Sequence, residues 1–482
     1  MCRLGTGVAP MKILFIASEA APIVKVGGLA DVVGSLPKAL RALGHDVRVL
    51  IPQYASLDAR RFPLSPDIIN FKVSIQGQNS LVNLNHTSCA DVPVYALESP
   101  QHFGTREIYG TFDLERFFFF SRAVFEILPR LSWQPEIIHC HDWLTALIIL
   151  WQKKAGYPYS SVFTIHNLAY QGFFDGNYLK SHDLKKDWDY FPPGAPPPPY
   201  SFMSQAILWA DLVTTVSETY SREITTPQFG VGLESLLRYR STSDKLIGIV
   251  NGLDCGYWNP STDPFLPVNF DSTAMAKRAL NKIALQKIAG LPVRGDIPVI
   301  GMVQRMDEQK GIDIVGQGIE TILRDTGAQF VILGKGQEYY ENLLRQIAVR
   351  FPSQVSVFVA FEESLAHLIY AGSDMFLMPS RFEPCGLGQM IAMRYGALPV
   401  VRHTGGLVDT VPGFTPDLAK GNGFIFHEYT SAALIEAVKK AVGAFKDPKA
   451  WQQAMQRVSQ LDFSWQSSAR KYESAYRQVL KK

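Results

Sequence analysis

Residues 12–51 read KILFIASEAAPIVKVGGLADVVGSLPKALRALGHDVRVLI, and the order of patterns in this stretch decides the fold. The run 12–18 is continuously apolar and ends in small residues, as a strand buried on both faces should. A glycine-rich turn follows at 26–29. Apolar residues then recur at helical spacing over 32–43, Gly44 ends that helix, and VRVLI at 47–51 predicts the next strand. Strand, turn, helix and strand in this order form a βαβ unit, which favours a doubly wound parallel sheet of the α/β class.

Working outward, further strands are predicted at 137–140, 161–165, 212–216 and 246–250. A proline-rich, less periodic stretch lies near 258–271. A second series of apolar runs then follows at 298–303 (PVIGMV), 329–333 (QFVIL), 355–359, 375–378 and 398–401. Two such series predict two Rossmann-like domains facing each other across an interdomain cleft, the first over 11–260 and the second over 272–460. Ligands of these sheets bind at the carboxyl ends of the strands, so the site is expected in that cleft. The last segment, 463–482, reads as a helix with Trp465, Ala469, Tyr472, Ala475 and Tyr476 on one face. The spacing alone would let it cover the second domain. Phe117, Phe118, Phe119 and Phe120 read as a buried helix face, and PPGAPPPP at 192–199 as a stiff surface loop.

A chain of 482 residues suits two or three domains, and 47% hydrophobic with 19% charged residues is a globular composition. The net charge is +3, from 47 basic and 44 acidic residues, which gives no reason to expect nucleic acid or a membrane surface. The five cysteines, Cys2, Cys89, Cys140, Cys255 and Cys385, are scattered without CxxC spacing. That argues against a disulfide framework and for a reducing compartment. The first ten residues, MCRLGTGVAP, suit neither a signal peptide nor a transit peptide. They are expected to be a disordered extension, of the kind an upstream start codon adds.

Several residues carry chemistry. In Lys25-Val26-Gly27-Gly28-Leu29-Ala30-Asp31 two glycines allow backbone amides close to a ligand, and the following helix N-terminus favours an anion. Lys25 adds a mobile positive charge. Asp31 either caps the helix or contacts the ligand, and Asn251 either shapes its turn or does likewise. His139 and His141 share one face of a strand while Cys140 points away, a geometry that does not suit a tetrahedral metal site.

The heptapeptide from Lys25 to Asp31 resembles the K-x-G-G-L-x-D-V signature of bacterial glycogen synthases and plant starch synthases. The resemblance runs from Met11 to the C-terminus. It includes His139-Cys140-His141-Asp142-Trp143, TIHNLAYQG at 164–172, Asn251-Gly252-Leu253-Asp254 and RMDEQKG at 305–311. The densest match is SRFEPCGL at 380–387, followed by Arg394-Tyr395-Gly396 and Thr404-Gly405-Gly406-Leu407. Val26 and the run 389–394 look closer to the starch synthase III/IV-like branch than to the enteric glycogen synthases.

This resemblance implies the GT-B fold and glucose transfer from ADP-glucose to the non-reducing end of an α-1,4-glucan. The anomeric configuration would be retained, with no metal ion or other cofactor. It implies an acceptor-binding first domain, with helix 463–482 packing back onto it, and a donor-binding second domain. Arg305 and Lys310 would neutralise the leaving diphosphate, and Gly386, Leu387 and Gly388 would hold it through helix N-terminal amides. Glu383 would face the glycosyl centre, His166 would lie beside the donor glucose, and Asp142 would contact sugar or acceptor. Lys25, Gly27, Gly28, Asp31 and Asn251 are further donor-binding candidates. Phe361 matches a nucleobase-stacking aromatic, with core packing as the competing explanation.

The match thins between Phe173 and Leu208: Ser204 stands where relatives often carry lysine, and the proline run is additional. Gly388 replaces the usual Thr or Asn. The expected partners are ADP-glucose and glycogen, starch or malto-oligosaccharide. The expected location is the cytoplasm, or a plastid stroma in a photosynthetic eukaryote. The rival readings are a GT-B enzyme with another donor, a phosphorylase, or a weakly active glucan-binding homologue that primes synthesis.

Overall fold

The computed structural model describes residues 9–481. Most of the expected N-terminal extension, residues 1–8, lies outside the described residues, as does Lys482. The chain divides into two compact units, one reaching to Gly252 and resuming at Trp465, the other spanning Leu253–Ser464.

The first unit holds β1 (Lys12–Ile16), β2 (Asp46–Pro52), β3 (Ser65–Ile75), β4 (Gln78–Cys89), β5 (Val92–Glu98), β6 (Ile137–His141), β7 (Ser160–Ile165), β8 (Leu212–Thr215) and β9 (Leu246–Gly248). They form one sheet in the order β3-β4-β5-β2-β1-β6-β7-β8-β9. The pairs β3/β4 and β4/β5 are antiparallel; β5/β2 and the pairs from there to β9 are parallel. Ile13, Leu14, Phe15 and Ile16 of β1 are fully buried, as expected of a strand covered on both faces. The helix predicted from residue 32 begins earlier, at Gly28, and runs to Ala42. Gly27, extended at φ −135°, stands at its N-cap, so the glycine pair opens the helix instead of preceding it. Leu29, Val32, Val33, Leu36 and Leu40 form its buried stripe.

Helix Asp113–Ile127 buries all four residues from Phe117 to Phe120. Each such ring stabilises the unit by roughly 1.5–3 kcal/mol relative to an exposed one. Helix Trp465–Leu480 packs on helix Gly28–Ala42 and β7, burying Trp465, Tyr472 and Tyr476. No helix among the described residues is long and apolar enough to cross a membrane.

The second unit holds β10 (Val299–Val303), β11 (Gln329–Gly334), β12 (Val355–Val359), β13 (Met375–Met378), β14 (Leu398–Arg402) and β15 (Phe424–Phe426). Its sheet order is β12-β11-β10-β13-β14-β15, and every pair is parallel. Relative to chain order this is 3-2-1-4-5-6, the doubly wound arrangement, in which the strand order reverses between β10 and β13. The first unit has the same reversal between β1 and β6. The proline-rich stretch near 258–271 lies inside the second unit, where buried Asp263 accepts from Tyr395 Oη (2.6 Å) and pairs with His367 Nδ1 (2.6 Å).

Candidate active site

The carboxyl ends of the strands beside each reversal hold most of the predicted residues. In the first unit β1 leads into Ser18, Glu19 and the Lys25–Gly28 turn, β6 into Asp142, and β7 into His166. Lys25 Nζ reaches Asp31 Oδ1 at 2.7 Å, so Asp31 pairs with the lysine in the first helical turn. A Cβ at Gly28 would meet nothing within 4 Å. Packing therefore does not demand this glycine, and the space above it is open to a ligand.

The turn also departs from expectation. Glu19, 2% exposed, accepts from Val26 N at 2.5 Å and Gly27 N at 3.1 Å. Those two amides are thus occupied, which leaves Lys25 and the amides of Gly28 and Leu29 as the candidate ligand donors of the turn. Tyr109 Oη donates to the other Glu19 oxygen at 2.8 Å. Burial raises the Glu19 carboxyl above its ordinary range against these donors. Glu19 escaped the sequence reading, although it is the one charged residue between Lys12 and Lys25. Beside it opens a cavity of about 520 Å³ lined by Ile23, Val24, Lys25, Val26, Arg106 and Tyr109, among others.

Asp142 has φ 55° and ψ 178°, a region nearly reserved for glycine. It is held there because Oδ1 accepts from His166 N at 2.8 Å and its own amide donates to Thr164 O at 3.0 Å. Burial pushes the Asp142 carboxyl up to about 7, against the lowering effect of the His166 and Asn167 amides. Burial pushes His166 down to about 3, so its imidazole is neutral at physiological pH. His141 Nδ1 and His166 Nε2 share a hydrogen bond of 2.9 Å. His139 is engaged elsewhere, by Tyr476 Oη at 2.8 Å and Thr164 Oγ1 at 2.6 Å. Asn251 is buried, and its Oδ1 has no hydrogen-bond partner among the described residues.

In the second unit the loops after β10 and β13 meet. Lys310 Nζ donates to Glu383 Oε2 at 2.6 Å, and Ser380 Oγ donates to the same oxygen at 2.9 Å. Glu383 Oε1 accepts nothing from the described residues, so one carboxylate oxygen is pinned and the other is presented. An ammonium has three donors, which leaves Lys310 two for another anion. Asp307 organises this loop: it accepts from Lys310 N at 3.1 Å and pairs with Arg305 Nη1 at 2.9 Å. Arg305 also donates to Gln309 Oε1 at 3.1 Å and remains about half-exposed. Gly311, at φ 74°, brings this loop against the carbonyl of Pro379.

Leu387 caps helix Gly388–Arg394, whose first amides have no carbonyl one turn back. Gly386 takes φ 74°, and Gln389 Nε2 donates to its carbonyl at 2.9 Å. At Gly388 a Cβ would lie 3.0 Å from the Phe376 ring, which accounts for glycine in place of a larger residue. Phe361 is 83% exposed, which removes core packing as its explanation. Sequence reasoning missed Ser380 and Asp307, although both fall inside motifs it had quoted.

A profile of the starch synthase catalytic domain matches residues 12–239, and one of group 1 glycosyl transferases matches 297–443. Glycogen synthase of Geotalea daltonii is 46% identical, over 98% of this chain and 99% of that protein. Glycogen synthase of Geobacillus stearothermophilus is 40% identical, over 98% of each. The catalytic domain of starch synthase IV from Arabidopsis thaliana, solved with ADP and acarbose, superposes with a TM-score of 0.89. It is 35% identical, over 98% of this chain and all of that one. Sucrose-phosphate synthase of Thermosynechococcus elongatus shares the fold at a TM-score of 0.61 and 19% identity.

Proposed function

We propose, for a chain that belongs to the glycogen synthase and starch synthase family and is a glycosyltransferase, that its donor is ADP-glucose and its acceptor the non-reducing end of an α-1,4-glucan. The observation that carries this reading is the Lys310–Glu383 pair at the β10/β13 reversal, with Arg305 on the same loop. A departing nucleoside diphosphate gains negative charge as the glycosidic bond breaks. Lys310 and Arg305 meet that charge, Lys as a point charge and Arg with a planar fork. The amides opening helix Gly388–Arg394 add oriented dipoles. The presented oxygen of Glu383 faces the positive charge that develops on the sugar, or holds its hydroxyls. Phe361, being exposed, is available to stack on the base.

In the first unit, Asp142 and the neutral His166 contact the sugar hydroxyls, and Lys25 with the Gly28 region helps hold the donor. Asn251 contributes its Oδ1, which accepts nothing from the described residues. The cavity beside Tyr109, mixed in polarity, suits a glucan end. Cysteines that form no disulfide among the described residues suit a cytoplasmic location. Glu383→Ala and Lys310→Ala are each expected to lower turnover by about 10²–10³-fold or more, because each loss falls on charge that develops in the transition state. Initial rates with ADP-glucose and glycogen, on protein whose circular dichroism is unaltered, test this. A rate near wild type for either variant would refute the assignment.

A further inference from the structure

We infer that His141 is a positioning residue: it donates Nδ1–H to Nε2 of His166 and thereby fixes His166 as the Nδ1–H tautomer, offering an N–H donor to the substrate. The inference rests on the reading that His166 contacts the donor sugar.

Two ring nitrogens 2.9 Å apart require one proton between them. Both imidazoles are neutral, because burial holds each well below the ordinary histidine range. Either His141 or His166 is therefore the donor, and the remaining nitrogen of His141 decides which. His141 Nε2 is buried and has no hydrogen-bond partner among the described residues. If His166 donated, neutral His141 would carry its proton on Nε2, leaving a buried N–H without an acceptor. If His141 donates, only a lone pair is left there. Buried orphan N–H groups are the rarer of the two.

The ring of His141 is also held in place. It sits on β6 in register with Thr164 of β7, and Phe15 stacks on it at 5.3 Å and 22°. His139, the other imidazole beside it at 4.1 Å, does not compete, since Tyr476 and Thr164 take its nitrogens. His166 Nδ1 has no partner among the described residues, so the proton fixed there remains available to a ligand. Setting one nitrogen of a histidine through a hydrogen bond on the other is a common way to choose its chemistry.

The test is a long-range ¹H–¹⁵N correlation spectrum of the full chain labelled at histidine, with His166 identified by the signals missing from His166→Gln. Wild type is expected to show His166 protonated at Nδ1 and bare at Nε2. His141→Leu should return His166 to the Nε2–H form and lower kcat/KM roughly tenfold, the size of one lost hydrogen bond. In His141→Asn, Nδ2 stands where Nδ1 stood, and both the tautomer and most of the rate should return. A wild-type spectrum with His166 protonated at Nε2 would overturn the inference, even if the leucine variant fails to fold. So would an unchanged tautomer in folded His141→Leu. A tautomer that switches without any change in rate would support the lock and overturn instead the placement of His166 at the sugar.

Discussion

At Asp142 a non-glycine residue occupies backbone space that costs about 1–3 kcal/mol, and two amide donors hold its carboxylate there. Its carboxyl keeps a proton up to about pH 7 in the folded chain, whereas an unfolded aspartate loses it near 4. Between those values the native state binds more protons than the unfolded state. The group's contribution to stability is therefore full below about pH 4 and declines as pH rises to 7. Urea unfolding of wild type and Asp142→Asn across this range should show wild type losing stability relative to the variant, then running level with it. A pH-independent difference would contradict the burial argument. Gly28→Ala tests the open turn: nothing obstructs the new methyl group, so melting should hardly change while KM for the donor rises by roughly tenfold or more. For Lys310→Met, unfolding free energy should drop by about 3 kcal/mol, because Glu383 loses its buried partner. The double variant with Glu383→Gln should recover part of that loss. Both residues were legible as motif members, but their pairing across 73 positions was not, since only the adjacency of β10 and β13 brings them together.

Among the elements, the parallel strands of both units were legible because burial on both faces leaves unbroken apolar runs. The hairpins β3–β4 and β4–β5 were not. Of the residues in β3 only Val73 is fully buried, so no alternation marks the strand. The turns are also disguised. Gln76-Gly77 and Ala90-Asp91 place both central residues at positive φ, as type I′ hairpin turns require, but without the usual Asn-Gly pair. Loop closure onto the site depends on a different glycine. A Cβ on Gly311 would lie 2.1 Å from the Pro379 carbonyl, whereas Gly327, also at positive φ, has open space. Gly327→Ala should cost about 1 kcal/mol from backbone strain alone. Gly311→Ala should cost more, because backbone must move, and should reduce turnover as Lys310 shifts. Equal melting temperatures for the two variants would show that the Gly311 contact is unimportant.

For the whole molecule, the C-terminal helix decides what the first unit is made of. Its aromatic face was visible in the sequence, but spacing could not say which sheet it covers. In the structure Tyr476 reaches His139 on β6, and Lys471 pairs with Glu218. Deleting residues 465–482 should therefore expose helix Gly28–Ala42, β6 and β7 to hydrogen exchange while β10 to β15 keep their protection. Loss of protection concentrated in β10 to β15 would contradict that allocation. Under the proposed function, Lys310, Arg305 and Glu383 act together to transfer glucose from ADP-glucose to a glucan. The most direct measurement is incorporation of labelled glucose into glycogen from ADP-glucose and, in parallel, from UDP-glucose. Incorporation from ADP-glucose is expected well above that from UDP-glucose, with loss of it in Lys310→Ala. No incorporation from ADP-glucose by folded protein would contradict the proposed function.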